Sequence, residues 1–148
     1  MIFKSESAKK TRKIAASLAL ETIDSKPLKH ARIFALEGEL GAGKTTFVQG
    51  FVKALRIKQK IASPTFVLIK NYPLHTTAYK LLYHIDAFRL RDWHGLASLG
   101  IRDVFADPQN LVLIEWAERV KPVLPKKRVW IHIDHMDKND RKITITGK

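Results

Sequence analysis

The sequence predicts an α/β fold of the P-loop type, and three observations carry that prediction. The run Gly38-Glu39-Leu40-Gly41-Ala42-Gly43-Lys44-Thr45 matches the spacing G-x-x-x-x-G-K-[ST] at every constrained position. Its context is strand, loop, helix: residues 31–37 are rich in strand formers, and Phe47, Val48, Phe51 and Leu55 follow at helical spacing. Residues 111–116 then form an apolar run that takes in Glu115 and Trp116, the pattern of a strand buried on both faces in mid-sheet.

The elements follow in order. Ser5 or Ser7 caps a first helix running to about Thr22, with Ile14 and Leu18, and Ala15 and Ala19, four apart on one face. The short apolar stretch within it, preceded by Lys9, Lys10, Arg12 and Lys13, only faintly imitates a signal peptide, because Glu21 and Asp24 follow without a cleavage-like end. Pro27 turns the chain into the strand at 31–37, and the helix after the glycine loop ends near Arg56. Ser63-Pro64 marks a turn, 65–70 a strand ended by Pro73, and 79–86 a further strand. Residues 92–107 read as two short helices with Leu96, Leu99 and Val104 as apolar positions. Pro122 and Pro125 flank the next turn. Residues 129–134 and 142–146 alternate in polarity around Asp137, Lys138, Asn139 and Asp140, so an antiparallel hairpin ends the chain. His132 and His135 fall on opposite faces of their strand, which argues against a metal pair.

At 148 residues, without repeats or low-complexity linkers, the chain is expected to form a single domain, 1–148. Hydrophobic residues make up 45 %, a globular composition. The absence of cysteine excludes disulfides and thiolate metal sites and points to a reducing, cytoplasmic setting. No segment approaches the roughly 20 apolar residues of a membrane span. The net charge of +13 attracts polyanions, with basic clusters at 9–13, 53–60, 126–128 and 138–142. Contact with RNA and a merely solvated basic surface both fit this charge, which carries no sequence recognition of its own.

The glycine loop dictates its chemistry. Backbone N–H groups wrap phosphate oxygens, Lys44 reaches the β- and γ-phosphates, the Thr45 hydroxyl is placed for Mg²⁺, and the following helix adds its positive end. ATP handling further needs a carboxylate for the metal and often one for the attacking water. Two acids end strands, where ligands of open α/β sheets sit: Glu115, the stronger metal candidate, and Asp86, the candidate for positioning water or for a metal contact behind the first. Arg89 either neutralises charge on a transferring phosphoryl group or pairs with Asp86.

Four blocks together resemble the bacterial TsaE (YjeE) ATPases: residues 38–47, Ser63-Pro64-Thr65-Phe66, His84-Ile85-Asp86-Ala87-Phe88-Arg89-Leu90, and Leu113-Ile114-Glu115-Trp116-Ala117-Glu118-Arg119. The resemblance spans nearly the whole chain. It implies a P-loop NTPase-like three-layer fold with a mostly parallel sheet and a C-terminal antiparallel hairpin. It implies weak, Mg²⁺-dependent ATP hydrolysis that supports threonylcarbamoyladenosine formation in tRNA, in complex with the TsaD and TsaB proteins. Carried over by position, Lys44, Asp86 and Glu115 serve catalysis, and Thr45 and Glu115 serve Mg²⁺. Glu39, Leu40, Gly41, Ala42, Gly43, Lys44, Thr45, Thr46, Thr65 and Trp116 contact the nucleotide. Thr46, Thr65 and Trp116 also have plain readings, as a first-turn residue, a strand entrance and a core aromatic. His84 reads as a structural histidine. Ala87-Phe88 stands where the family usually has Leu-Tyr, so a hydroxyl is lost while stacking survives. Two rival readings stand on the same loop: a small-molecule or nucleoside kinase, and a nucleotide-gated adaptor whose job is binding. A GTPase is discounted, because Asn139 and Asp140 do not form the guanine-reading block.

Overall fold

A computed structural model describes residues 1–61 and 68–147. Seven strands, β1 (Ile2–Ser5), β2 (Arg32–Glu37), β3 (Ile69–Pro73), β4 (Leu81–Asp86), β5 (Asn110–Glu115), β6 (Val129–Asp137) and β7 (Asp140–Thr146), form one sheet in the order β1-β7-β6-β2-β5-β4-β3. The helices are α1 (Ala8–Ile23), α2 (Lys44–Ala54), α3 (Trp93–Ala97) and α4 (Ile101–Ala106), with a 3-10 helix over Ala117–Val123. The central neighbours β6, β2, β5 and β4 are parallel, while β3 and the β7 side pair antiparallel. Since β1 opposes β7, it too points the way of the centre, and only β7 and β3 run against it.

Period-two alternation builds the layers. On β2, Phe34 and Leu36 face α1 and α2 and meet Ile14, Leu18, Phe47 and Phe51. Ile33 and Ala35 face the other way, toward Leu96, Ile101, Phe105 and Val120. Every residue of β5 is buried, as expected of an apolar strand at the centre. Ser7, in extended conformation, caps α1 by accepting the Lys10 N–H.

Helices α1 and α2 approach closely because Gly50 leaves room for the Arg12 backbone; an added Cβ would sit 2.5 Å from Arg12 Cα and O. Neither backbone can yield without separating the helices. Gly50→Ala is therefore expected to lower stability by about 1–3 kcal/mol despite alanine's better helix propensity, as read by denaturant midpoint.

The structure differs from expectation in four places. β1 was not anticipated: four residues, with Ile2 exposed, carry no legible period, and the strand forms because β7 offers an open edge. Residues 65–67 of the strand expected at 65–70 lie outside the described residues, and β3 runs on from Ile69 to Pro73. A 3-10 helix containing Pro122 occupies the stretch read as a proline-flanked turn. The hairpin turn is tighter than expected, because β6 and β7 pair up to Asp137 and Asp140, with Lys138 at φ 34 and an irregularity between His135 and Asp137. Among the described residues no helix is long and apolar enough to cross a membrane.

At the junction of β2 and β6, Glu37 Oε2 accepts from Trp130 Nε1 at 2.8 Å and contacts His132 Nδ1 at 3.0 Å, while His132 Nε2 lies 2.8 Å from Asp134 Oδ1. The bond to Glu37, helped by Asp134 against partial burial, raises the His132 pKa above its ordinary 6.5. Burial pushes Glu37 up, but Trp130 and His132 outweigh it and leave it below its ordinary 4.5. A raised histidine stabilises fully below its unfolded pKa, and that contribution is lost as pH rises through the folded value. A lowered carboxylate stabilises above its unfolded pKa and loses this as pH falls through the folded one. The melting-temperature gap between wild type and His132→Gln should thus be widest between the ordinary values of 4.5 for Glu37 and 6.5 for His132, and should narrow as pH rises through the raised His132 pKa. Both side chains are partly exposed, so solvent keeps the gap small.

Candidate active site at the carboxyl edge of the sheet

β2 ends at Glu37 and delivers the chain into the glycine loop. Gly41 and Gly43 adopt φ values of 79 and 106, and Gly43 caps α2 from that left-handed conformation. Lys44 opens α2 and is 5 % exposed. Its Nζ donates to the Gly38 and Glu39 carbonyls and lies 4.0 Å over the Trp116 ring. Burial pulls the Lys44 pKa down, and Glu115, Glu118 and Asp86 oppose that pull. Burial pushes the Glu118 carboxyl up.

The two candidate acids end neighbouring parallel strands in register, Asp86 on β4 opposite Glu115 on β5. Both are nearly buried. Thr45 Oγ1 donates to Glu115 Oε1 at 3.0 Å. The other oxygen of Glu115 meets His84 Nε2 at 2.6 Å. A carboxylate only accepts, so His84 carries its proton on Nε2. Asp86 Oδ1 accepts the Phe88 N–H at 2.9 Å, which shapes the turn leaving β4.

These residues line a cleft of about 400 Å³. Of the expected nucleotide contacts, Leu40, Gly41, Gly43, Lys44, Thr45, Thr46 and Trp116 face it, together with Asp86 and Glu115. Glu39 is exposed on the loop and offers its carbonyl to Lys44 and to the Ala42 N–H; the Ala42 side chain is buried behind the loop. Thr65 lies outside the described residues. Trp116 stands one residue past β5 at φ 58, a costly conformation for a bulky residue, and this turn swings its indole over Lys44. Phe88 lies 5.0 Å from the Trp116 ring and Arg119 sits 5.5 Å from both rings. Arg119, itself exposed, thus places a guanidinium on the aromatic wall.

His84, read from the sequence as a structural histidine, is buried, and its partner is Glu115. Counting back by two from Asp86 places it on the same face of β4, so strand periodicity alone pointed it at the acids. The donor set suits Mg²⁺: a hydroxyl and a carboxylate within one hydrogen bond of each other are hard oxygen ligands. Among the described residues no group of three or more His, Cys, Asp or Glu could hold a metal alone. Few protein ligands is what Mg²⁺ sites completed by phosphate and water use.

Comparison with known proteins gives a consistent answer. The family model described as "Threonylcarbamoyl adenosine biosynthesis protein TsaE" matches residues 5–143. A Bacillus subtilis protein named tRNA threonylcarbamoyladenosine biosynthesis protein TsaE is 39 % identical over 119 residues, covering 80 % of this chain and 72 % of its own. The Aquifex aeolicus protein of the same name is 36 % identical over 145 residues, covering 97 % of this chain and 93 % of its own. The crystal structure of Bacillus subtilis YdiB superposes with a TM-score of 0.78 at 31 % identity, covering 99 % of this chain and 84 % of that one. Motif, sheet order and these matches agree, and the chain belongs to the TsaE family of threonylcarbamoyladenosine biosynthesis.

Proposed function

We propose that this chain binds ATP with Mg²⁺ in the cleft and hydrolyses it slowly, supporting threonylcarbamoyl modification of adenosine in tRNA with the TsaD and TsaB proteins in the cytoplasm. One observation carries the reading. A phosphate-loop lysine, a hydroxyl–carboxylate pair and a second carboxylate in register converge on one cleft. In this reading Lys44 and the loop amides hold the phosphates, and Thr45 with Glu115 holds the metal. His84 fixes the Glu115 carboxylate, and Asp86 orients the attacking water. When held by Thr45 and Glu115, Mg²⁺ would supply neutralisation of the phosphate charge. The half-exposed Phe88, Trp116 and Arg119 offer stacking surfaces beside the phosphates. The relatives' names supply the tRNA context, and the basic charge fits contact with tRNA, directly or through the complex.

The test is ATP hydrolysis by the pure protein, alone and with TsaD–TsaB and tRNA. Low turnover that rises with the complex is expected. Turnover indifferent to the complex, with phosphate appearing on an added small molecule or nucleoside, would replace this reading with that of a kinase.

A further inference from the structure

The hairpin that ends the chain reaches the phosphate loop through one side chain, Arg141. On β7 it continues the inward face of Ile143 and Ile145, a charged residue where the period calls for an apolar one. Its Nε donates to the Ala42 carbonyl at 2.9 Å and its Nη2 to the Gly41 carbonyl at 3.4 Å. Its Nη1 donates to the carbonyls of Lys138 and Asp140 in the hairpin itself, at 3.3 and 3.1 Å. One rigid, planar guanidinium thus joins the hairpin turn to the tip of the loop.

The peptide plane gives this contact a consequence. The Ala42 C=O and the Gly43 N–H belong to one planar trans unit and point in opposite directions. Drawing the carbonyl toward Arg141 turns the Gly43 N–H away from that guanidinium, and Gly43 lines the cleft. Nothing within the loop fixes that plane as firmly. The Ala42 N–H is already taken by the Glu39 carbonyl, and Gly41 and Gly43 on either side have positive φ and no atom within 4 Å of a built Cβ. Glycines so placed rotate cheaply unless something outside holds them.

We propose that Arg141 is a positioning residue for phosphate binding. It holds the Ala42–Gly43 peptide with its N–H facing the cleft, and so couples nucleotide binding to the C-terminal hairpin. The proposal rests on reading the cleft as a nucleotide site.

The experiment is calorimetric titration of the full chain with ADP and Mg²⁺, on wild type, Arg141→Ala, Arg141→Lys and Arg141→Gln. Lys142→Ala, an exposed neighbour, serves as control. Arg141→Ala should raise the Kd for ADP about tenfold, the scale of one hydrogen bond lost, and Arg141→Lys should recover part of it. Lys142→Ala should bind as wild type. Hydrogen exchange provides the second readout: ADP should slow amide exchange in the hairpin of wild type but not of Arg141→Ala. A merely structural arginine would lower the melting temperature and leave both readouts unchanged. If Arg141→Ala fails to fold, Arg141→Lys and Arg141→Gln carry the test, and a Kd within twofold of wild type in both overturns the proposal. Wild type that binds neither ADP nor ATP would instead overturn the nucleotide reading of the cleft.

Discussion

Lys44→Ala is expected to abolish measurable nucleotide binding, a loss of about 100-fold or more, while leaving the fold nearly as stable as before. The binding loss is a matter of sign as well as reach. Lys44 is the cation that Glu115, Glu118 and Asp86 all feel, and removing it leaves their carboxylates facing an incoming polyphosphate. The small stability effect follows from the direction of its pKa. Burial lowers that pKa, so folding disfavours the charged form relative to the unfolded chain, and this group's contribution to stability improves as pH rises through its folded pKa. Deleting it removes a burdened charge along with its bonds to the Gly38 and Glu39 carbonyls, and the two effects oppose each other. Lys44→Met separates charge from packing, because it keeps a chain against the Trp116 ring. Titration with ATP and a melting curve on each variant check the prediction. Wild-type ATP affinity in Lys44→Ala would remove the cleft as the nucleotide site.

Most of the sheet was legible because its central strands are extreme. Residues 110–115 are buried at every position, and such a strand can sit only between covered faces. The glycine loop was legible because its spacing states its own geometry. What stayed hidden depends on contacts distant in sequence. β1 is held by β7, some 140 residues away, and its four residues show nothing of this by themselves. The left-handed turn at Trp116 follows from docking against Lys44 and Phe88, and no local signal marks it. His84 and Arg141 are a different case. Each is a polar residue on an inward strand face. His84 lay within the expected strand at 79–86, whereas Arg141 preceded the expected run at 142–146 and joins the face only because β7 begins at Asp140. The assembled sheet shows that these faces point at Glu115 and at the loop. An inward-facing polar residue on a predicted strand marks a partner to be found, because a buried polar group without one is costly.

Glu115→Gln isolates the charge of the metal acid from its place in the network. A glutamine of nearly the same shape can accept the His84 Nε2–H with its carbonyl and donate to Thr45 Oγ1 with its amide, so both neighbours stay satisfied in a site that is almost fully buried. What disappears is the negative charge that a hard cation requires. ATP is therefore expected to remain bound within a few-fold, since Lys44 and the loop amides are untouched and Lys44 loses one of its counter-charges. The gain in affinity on adding Mg²⁺ should flatten, and turnover should fall by about 100- to 1000-fold, the scale for losing one preorganised electrostatic group. The fold should hold, because exchanging a buried carboxylate for a hydrogen-bonded neutral amide removes a desolvation cost. Mg²⁺ titrations of ATP affinity on wild type, Glu115→Gln and Asp86→Asn decide the assignment. A wild-type Mg²⁺ response in Glu115→Gln, with a flattened one in Asp86→Asn, would move the metal to Asp86. That exchange is geometrically open, because the two carboxylates end adjacent strands in register and the cleft runs past both.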